Sequence, residues 1–562
     1  MQNALVAQAF DEIAALMEVA GENPFKIRAY KRAAEAISQL EDPIEDIAES
    51  GRLEQVEGLG EATQAKTREF LATGTMKVLA TLREKYPSGL LDVMRVPGLG
   101  PKKVAVLYQQ KNIASLEDLK RALDNDELKG VAGFGPKAIE NLKLGLTRLS
   151  QLTKRLPLGD ALALSHTLLA SARASTTAKR WEVTGSLRRG ADTVGDINLL
   201  AQSSDPGKAL DAFTASASVL AIEERLDDSA SIKVRGGVLA RAQVVRQGFG
   251  SALFASTGSK AHLEGARLRA KELGLDWRQV LAQSGEDEAG VYQALQVPFI
   301  APELREGRGE WEAAIQGELP QLVKVEDIQG DLHAHSTWSD GVASIEEMAQ
   351  AMQARGYKYF AVSDHSKALA MANGLDAARL REQKIEIERA QAKFPDLKIL
   401  RSIECDILRD GSLDLDDDIL NELDFVIASV HSAFSLSEAA QTERMVKAIA
   451  HPSVDLIAHP TGRILGGRPG YDVNVGALIQ AAREHKTALE INASERLDLS
   501  DEHARVARDA GVLLCIDTDA HSVRMLPNIA LGVLTARRAW CEPRHVLNAW
   551  PLDELMKWLQ SK

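Results

Sequence analysis

The spacing of apolar residues changes part-way along the chain. Val6 to Leu16 and Ala29 to Leu40 place their apolar side chains on one helical face, and helical spacing continues to about residue 155. Beyond residue 325, short apolar runs such as Phe360-Ala-Val362 alternate with segments of helix length. Alternating buried strands and helices are typical of a β/α barrel. The pattern therefore predicts a helical N-terminal region and a C-terminal barrel.

Polar side chains follow the apolar runs of the second half. A His-x-His pair, Asp331-Leu-His333-Ala-His335, opens this region, and Asp340 follows it. Ten of the twelve histidines lie beyond residue 325. A strand repeats its side-chain direction every two residues, so the paired imidazoles point the same way, as metal ligands do. The carboxyl ends of barrel strands meet at one face, which predicts a metal site there.

Six short motifs of this region resemble the PHP (polymerase and histidinol phosphatase) domain: DLHAHSTWSDG, SDHSK, IECDI, SVHS, AHPTGR and DTDAHS. The resemblance implies a distorted seven-stranded β/α barrel that holds three divalent metals and hydrolyses phosphoesters. Nine residues match the family's ligands in type: His333, His335, Asp340, His365, Glu404, His431, His459, Asp519 and His521. Mixed imidazole and carboxylate ligands favour Mn²⁺, with Zn²⁺ as the alternative. Such metals lower the pKa of bound water and stabilise the attacking and leaving oxygens.

Three glycine turns punctuate the helical N-terminal region. Each has the form Gly-apolar-Gly and opens a helix, and two are followed by Pro-Lys. Two glycines permit a tight turn and let the backbone N–H groups of the next helix approach a phosphate. The turns resemble helix-hairpin-helix motifs, which bind DNA backbones without reading sequence. The residues predicted to contact DNA are Gly58, Gly60, Lys66, Gly98, Gly100, Lys102, Gly133, Gly135 and Lys137.

Residues 1–85 resemble the small N-terminal domain of family X DNA polymerases, through PFKIRAYKRAA and GEATQAKTREFLATG. Lys66 lies where some members of that family carry a lysine that forms a Schiff base with an abasic sugar. A lyase lysine needs a lowered pKa, and the sequence around Lys66 does not show one. We therefore prefer a phosphate-binding role for Lys66 and leave the lyase role as the alternative.

Residues 155–320 resemble the nucleotidyltransferase centre of the same family. The run VTGSLRRG matches the segment that holds the triphosphate, and FASTGSKAHL matches a second nucleotide-binding segment. The resemblance implies that five residues are remnants of a nucleotide site: Gly185, Ser186, Arg189, Gly258 and Ser259. In the second segment, Ala255, Ser256 and Leu263 replace the aromatic pair and the asparagine of the family.

The predicted polymerase centre has lost carboxylates. Active members use three aspartates to hold two metals, and here Asp196 matches the first, Asn198 replaces the second and Arg241 aligns with the third. These changes shift the local charge by three units, and a guanidinium a few ångströms from Mg²⁺ costs several kcal/mol at an effective dielectric of about 20. We therefore expect polymerase activity to be absent or very weak and Asp196 to be an inactive remnant.

The net charge and composition of the chain are compatible with a DNA-binding protein. The chain has 562 residues and a net charge of −13, of which −11 lies in residues 325–562 where metals would offset it. An acidic total therefore does not exclude DNA binding. The three cysteines lack paired spacing, no basic leader opens the chain and no apolar stretch reaches the ~20 residues of a membrane span. We expect a cytoplasmic protein that does not bind membranes, with a monomer favoured.

Taken together, these patterns predict a multidomain α + α/β protein. The expected segments are a helical helix-hairpin-helix domain at 1–85, a fingers-like domain with two further hairpins at 86–154, a degenerate palm at 155–250, a thumb-like domain at 251–315, a linker at 316–329 and the PHP barrel at 330–562. The expected function is DNA repair by a Mn²⁺-dependent 3′→5′ exonuclease, with abasic-site or 3′-end processing as related reactions. Three alternatives stay open: an active Mn²⁺-dependent polymerase with exonuclease, a non-catalytic DNA-end scaffold, and a small-molecule phosphatase.

Overall fold

A computed structural model describes residues 2–38, 40, 44–56, 58–87, 89–94, 96, 99–131, 133–152, 155–173, 178–216, 218–234, 237–283 and 285–561. The chain divides into two compact units, residues 1–153 and 154–562. Each unit is described by itself. Among the described residues, none of the helices combines the length and hydropathy needed to cross a bilayer.

The first unit is built from helices, as its apolar periodicity predicts. Two apolar clusters form its cores, one centred on Phe10 and Ile13, the other on Val104 and Leu107. Its helices are α1 (Gln2–Ala20), α2 (Pro24–Ser38), α3 (Ile44–Glu49), α4 (Glu61–Thr73), α5 (Lys77–Lys85), α6 (Gly89–Met94), α7 (Pro101–Lys111), α8 (Leu116–Asp124) and α9 (Pro136–Leu152).

The second unit begins with a mixed five-stranded sheet in the order β2-β4-β7-β6-β5, where β4 and β7 are parallel and the other neighbours antiparallel. Its strands are β1 (Leu156–Pro157), β2 (Ala178–Thr184), β3 (Thr193–Val194), β4 (Asp196–Ser203), β5 (Val219–Arg225), β6 (Ser229–Val234) and β7 (Leu239–Val245). The helices around it are α10 (Leu158–Arg173), α11 (Gly185–Arg188) and α12 (Pro206–Thr214). We call this part the palm. Trp181 and Phe213 are buried in its core.

Helices follow the palm and lead to the barrel. They are α13 (Phe249–Thr257), α14 (Lys260–Glu272), α15 (Trp277–Gln283), α16 (Ala289–Ala294) and α17 (Glu310–Gln316). Their core contains Phe254, Tyr292 and Trp311, and His262 is buried against Glu310. Trp540 of the C-terminal region completes this core, so these helices and the barrel share buried apolar surface.

The rest of the chain forms a barrel of parallel strands that neighbour one another in chain order. The strands are β8 (Gly330–Ala334), β9 (Tyr359–Val362), β10 (Lys398–Asp406), β11 (Phe425–Ser429), β12 (Leu456–Ile457), β13 (Ala488–Asn492) and β14 (Leu514–Asp517). The helices are α18 (Ile345–Ala354), α19 (Ala377–Lys393), α20 (Asp417–Leu420), α21 (Glu438–Ile449), α22 (Val475–His485), α23 (Asp501–Asp509), α24 (Ile529–Arg538) and α25 (Leu552–Gln560). The bond from His335 N–H to the Ala520 carbonyl joins the ends of the sheet and nearly closes it. The predicted fold class is therefore confirmed.

The palm and the barrel pack directly against each other. Leu497 of the barrel belongs to the palm core, and Leu465, Leu531 and Leu534 pack around it. A Cβ on Gly190 would come within 3.3 Å of Leu534, which explains why the turn after α11 ends in glycine. The palm is therefore held by α24 as well as by its own sheet.

Candidate metal centre

The carboxyl ends of the barrel strands bring all nine predicted ligands to one face. Strands β8 and β10 carry His333 and Glu404 themselves, while the other seven residues lie in the loops that follow strand ends. The strands are parallel and adjacent, so residues up to 190 positions apart in the chain converge. His333, His335, Glu404 and His459 are almost fully buried, whereas Asp340 and His521 lie at the more open edge.

Glu404 lies at the middle of the group. Its carboxylate oxygens are 2.8 Å from Nδ1 of His365, 3.0 Å from Nε2 of His459 and 3.4 Å from Nε2 of both His333 and His431. One carboxylate thus faces four imidazoles at contact distance. A carboxylate in this position would hold divalent cations together with the histidines around it.

Two aspartates complete the other side of the centre. Asp519 lies 3.1 Å from Nε2 of His335 and 3.5 Å from Nε2 of His333. Asp340 lies 3.5 Å from Nε2 of His365 and 3.4 Å from Nε2 of His521. Three subsets have ligand atoms close enough to hold a metal: His335/Asp340/His365/His521, His333/His335/Glu404 and His365/Glu404/His431.

Buried side-chain atoms of the centre that lack hydrogen-bond partners indicate whether metals fit here. Within the part of the chain that the structure describes, Nε2 of His333, Nδ1 of His335, His365 and His459, and Oε2 of Glu404 are buried without a hydrogen-bond partner. Leaving a buried polar atom unsatisfied costs about 1–3 kcal/mol. Nε2 of His333, Nδ1 of His365 and Oε2 of Glu404 face the centre and are explained by cations that they would ligate, whereas His335 and His459 present Nε2 to the centre instead. The donor set therefore fits divalent metals.

The electrostatics of the centre keep Glu404 ionised but divide the imidazoles. Burial favours the neutral Glu404 carboxyl, but the fields of His431, His365 and His333 outweigh it and hold its pKa well below the usual range. Burial and the neighbouring imidazoles of His521 and His365 lower the pKa of His335 to about 3. Burial also lowers the pKa of His365, but the Glu404 and Asp340 carboxylates outweigh it and raise that pKa to about 10. Glu404 and His335 are thus in the forms that bind metal, whereas His365 would give up a proton on binding one.

In the palm, the partners of the predicted metal-binding carboxylate Asp196 differ from those of Glu404 in the barrel. Asn198 and Arg241 face each other across β4 and β7, beside Asp196. The Arg241 guanidinium forms an ion pair with Asp196, and the Asn198 amide donates to the same carboxylate at 2.9 Å. A Cβ on Gly185 would lie 3.1 Å from the Asn198 amide nitrogen, so the glycine turn packs closely on this group. Asp196 therefore has a cation and an amide as its partners.

The predicted nucleotide-binding residues have structural partners. Arg189 donates to Glu306 at 2.9 Å and to the Thr257 carbonyl at 2.9 Å. Ser259 caps α14 by accepting a hydrogen bond from the His262 N–H. A Cβ on Gly258 would press on the His262 ring at 2.8 Å.

Ser186 has a main-chain role in the turn between α11 and β3. Its carbonyl accepts from Ala191 N–H at 3.0 Å and closes the turn.

The three glycine turns of the first unit share one geometry. In each, the N–H of the residue between the glycines donates to the carbonyl three positions earlier: Leu59 to Val56, Leu99 to Val96 and Phe134 to Val131, at 3.0–3.1 Å. Gly60 and Gly100 are the caps of α4 and α7, Gly135 precedes α9, and Gly58 and Gly133 have positive φ. Lys102 and Lys137 are exposed at the starts of α7 and α9, whereas Gly98 lies outside the described residues.

Lys66 lies on α4 of the first unit. Its Nζ donates to the Ala62 carbonyl at 3.3 Å and lies 5.7 Å from the centre of the Tyr30 ring. These contacts fit a partly exposed lysine on a helix and give no sign of a buried amine.

Comparison with known proteins extends over the whole chain. The chain is 36% identical to the DNA polymerase/3′-5′ exonuclease PolX of Bacillus subtilis, over 99% of both proteins. The chain belongs to the bacterial family X DNA polymerases that carry a C-terminal PHP domain. Family models agree, with a helix-hairpin-helix domain at residues 1–76, a SAM-like helix-hairpin-helix tandem at 90–148 and a PHP domain at 331–494. A segment that covers 41% of the chain is similar to the probable phosphatase YcdX of Escherichia coli. The identity is 30% over 240 residues, and the match covers 90% of that protein.

In this PolX family member, a carboxylate outside the nine predicted ligands orients two of them. Glu490, on β13, is buried, accepts from Nδ1 of His333 at 2.7 Å and from the His459 N–H at 2.6 Å. A carboxylate bonded to the outer nitrogen of a histidine fixes the tautomer so that the other nitrogen can bind metal. The signal for Glu490 in the sequence is a lone acid inside the apolar run Ala488-Leu-Glu-Ile491.

Side chains beside the ligands have different roles. Asp406 is 3.4 Å from Nδ1 of His431, close enough to orient that ring. Arg463, four residues after the ligand His459, bonds to the Leu497 carbonyl and to Asp192 of the palm at 3.0 Å. An acid 271 positions earlier in the chain thus pairs with this guanidinium.

Proposed function

We propose that the PHP barrel of this chain is a Mn²⁺-dependent 3′→5′ DNA exonuclease. The observation that carries the proposal is the convergence of nine side chains, with Glu404 at their middle, and the buried ligand atoms of His333, His365 and Glu404 that lack hydrogen-bond partners among the described residues. The printed name of the Bacillus subtilis relative includes a 3′-5′ exonuclease, which supports the same activity here.

The chain's own residues would prepare the reaction in two ways. The nine side chains, His333, His335, Asp340, His365, Glu404, His431, His459, Asp519 and His521, would hold the metals, and we infer three ions with Mn²⁺ preferred. When bound, such ions activate water and neutralise charge on a phosphodiester. Glu490 would keep His333 in the tautomer that presents Nε2 to the centre.

We propose further that polymerase activity is absent or very weak. The ion pair between Arg241 and Asp196 supports this, because the guanidinium lies against the carboxylate that a metal would need. Arg189, whose guanidinium group was expected to meet a triphosphate, forms an ion pair with Glu306, and the adjacent Arg188 forms one with Glu288. The palm would then act as a scaffold for the barrel.

DNA is the proposed substrate, because three hairpin turns accompany the barrel. Their glycines and the lysines Lys66, Lys102 and Lys137 would bind the phosphate backbone without regard to sequence. The six-part domain division given above and the monomeric state remain proposals of the same kind.

One second candidate has a specific observation behind it. The YcdX relative is named a probable phosphatase and covers the barrel alone, which would suit a small phosphomonoester as substrate. The hairpin domains of this chain favour DNA over such a substrate, and a direct comparison of the two substrates tests the choice.

The deciding experiment uses a primer-template with distinguishable labels at the 5′ and 3′ primer ends, Mn²⁺, and dNTPs present or absent. Wild type is expected to shorten the primer from its 3′ end and not to extend it. His333→Ala should abolish shortening, whereas His485→Ala, which changes an exposed histidine on α22, should leave it intact. Shortening that survives His333→Ala in nuclease-free protein would refute the nuclease, and extension by His333→Ala would refute the lost polymerase.

A further inference from the structure

Arg496 is a cation placed where the metal centre should repel one. Its Nε lies 3.8 Å from Asp519 Oδ2, and its side chain is 19% exposed. In the part of the chain that the structure describes, Asp519 is the carboxylate found within ion-pair distance of Arg496. Because Asp519 belongs to the ligand set, metals would share its charge. The guanidinium then needs another anion.

A second guanidinium lies on the preceding loop, which follows β12. Arg468 donates to the Gly462 carbonyl at 3.0 Å, and its Cζ lies 4.1 Å from the centre of the Phe434 ring. Burial and the field of Arg496 lower the pKa of Arg468. Guanidinium groups on loops that carry metal ligands are suited to bind a phosphate.

The loop that carries Arg468 is tightly built. Tyr471 stacks on Phe434 at 6.1 Å between ring centres and donates to the Pro460 carbonyl at 2.9 Å. A Cβ on Gly462 would strike the Tyr471 ring, so only glycine fits there. Phe434 lies three residues after the ligand His431, and Pro460 directly follows the ligand His459. The plate of Arg468 and Phe434 is therefore fixed to the loops of the centre.

We propose that Arg496 binds the phosphate of the strand being cut and that the Arg468–Phe434 plate supports the adjoining nucleoside by stacking. This assignment rests on the proposed phosphodiesterase function and names its substrate contacts. A phosphate oxygen at Arg496 would replace the charge that the metals draw from Asp519. A planar guanidinium on an aromatic ring presents a face to a base without choosing its sequence.

The test measures phosphate binding apart from turnover. Inorganic phosphate is titrated calorimetrically into Mn²⁺-loaded full-length protein: wild type, Arg496→Gln, Arg496→Lys and, as a matched control, Arg483→Gln on the exposed side of α22. Arg496→Gln is expected to weaken phosphate binding about 10- to 100-fold, the range for a hydrogen bond between charged groups. Arg496→Lys should recover part of the affinity, and Arg483→Gln should match wild type.

Two further readouts separate the outcomes. Bound Mn²⁺ should stay unchanged in Arg496→Gln, whereas a loss of Mn²⁺ would mean that Arg496 only orients Asp519 and would overturn the proposal. Phe434→Leu should raise KM for a 3′-ended oligonucleotide by about 5-fold or more while leaving phosphate affinity unchanged. An equal phosphate affinity in wild type and Arg496→Gln overturns the assignment even where DNA is cut.

Failure of the nuclease proposal has a different signature. In that case wild type would leave DNA intact, and the phosphate titration would still compare Arg496→Gln with wild type. A weakened titration with intact DNA would support the phosphate site and refute the DNA substrate. Circular dichroism of both Arg496 variants shows that they are folded, and if Arg496→Gln does not fold, Arg496→Lys together with Phe434→Leu decides.

Discussion

The palm and the barrel each hold a buried or half-buried carboxylate at a position suited to metals, but the surroundings differ. Glu404 of the barrel faces the imidazoles of His365, His459, His333 and His431. Asp196 of the palm faces the guanidinium of Arg241 and the amide of Asn198. Imidazoles can give electron pairs to a cation, whereas a guanidinium and an amide N–H only donate protons. The barrel carboxylate is therefore surrounded by groups that can bind metal, and the palm carboxylate by hydrogen-bond donors.

The difference also appears in what each site leaves unpaired. Buried atoms of the barrel centre, such as Nε2 of His333 and Oε2 of Glu404, lack hydrogen-bond partners among the described residues, which fits a role as metal ligands. In the palm, Arg241 and Asn198 already satisfy the Asp196 carboxylate. Conservation of a fold and conservation of its reaction are therefore separate questions within this one chain.

Glu404→Gln should give the largest effect, because it removes the charge that four imidazoles face. We expect nuclease activity to fall about 1,000-fold or more, since the metals would lose a shared ligand. Bound Mn²⁺, measured by elemental analysis after gel filtration, should fall with it. If Glu404→Gln kept both its bound Mn²⁺ and its nuclease activity, Glu404 would not be the central ligand of the barrel site.

Glu490→Gln probes how the barrel orients its ligands. The amide keeps the shape but can present an N–H to His333 Nδ1, which would favour the wrong tautomer. We expect a loss of about 10- to 100-fold in Mn²⁺ affinity. Glu484→Gln, at an exposed position of α22, is the matched control and should bind Mn²⁺ like wild type. Equal affinities in the two variants would show that His333 needs no orienting carboxylate.

Periodicity predicted the barrel and a metal site where its parallel strands end, because both depend on local pattern. The nine candidate ligands and the hairpin turns came from the resemblance of short motifs to known families. Glu490 was missed because its partner His333 is 157 positions away, and a lone acid in an apolar run does not by itself name that partner. The pair of Arg463 and Asp192 spans 271 positions and is equally invisible to local spacing. Long-range pairs of charges depend on how domains pack, which sequence spacing does not contain.

The turn after α11 in the palm shows that a residue of a functional motif can have a structural partner instead. Arg538 on α24 of the barrel donates to the Arg189 carbonyl and to Glu306, and it lies 3.1 Å from Asp501. The motif predicted Arg189 as a nucleotide ligand, but in the structure Glu306 joins it to the barrel. Sequence alone could not distinguish these roles, because both require an arginine at the same position.

Arg538→Met should lower the stability of the second unit. The side chain is 7% exposed, and its loss leaves Glu306 and Asp501 with one guanidinium partner fewer, which we expect to cost about 2–4 kcal/mol. Thermal unfolding should show a lower midpoint than wild type, and Arg483→Met on the exposed face of α22 should not. An unchanged midpoint for Arg538→Met would mean that the palm and the barrel do not depend on this contact.

The smallest expected effect is also the most direct test of the palm. Arg241 and Asp196 are 48% and 33% exposed, so their ion pair contributes at most about 1 kcal/mol and its removal should leave the protein folded. Replacing Arg241 and Asn198 together by Asp would restore three carboxylates and reverse the charge difference of three units. We expect the palm to gain Mn²⁺ affinity of about tenfold or more, since each unit charge at about 4 Å is worth about 4 kcal/mol at a dielectric near 20, less the repulsion among the acids.

The measurement belongs in a Glu404→Gln background, so that the barrel does not mask Mn²⁺ bound by the palm. Asn198→Asp alone is the control, because it leaves the Arg241 cation beside Asp196 and should add little affinity. Primer extension is not expected to return with the metal, since Ala255, Ser256 and Leu263 still replace the residues that position a nucleotide. If the double variant binds no more Mn²⁺ than its control, the replaced carboxylates do not determine whether the palm binds metal. If it extends a primer, the nucleotide pocket is more complete than these three replacements suggest.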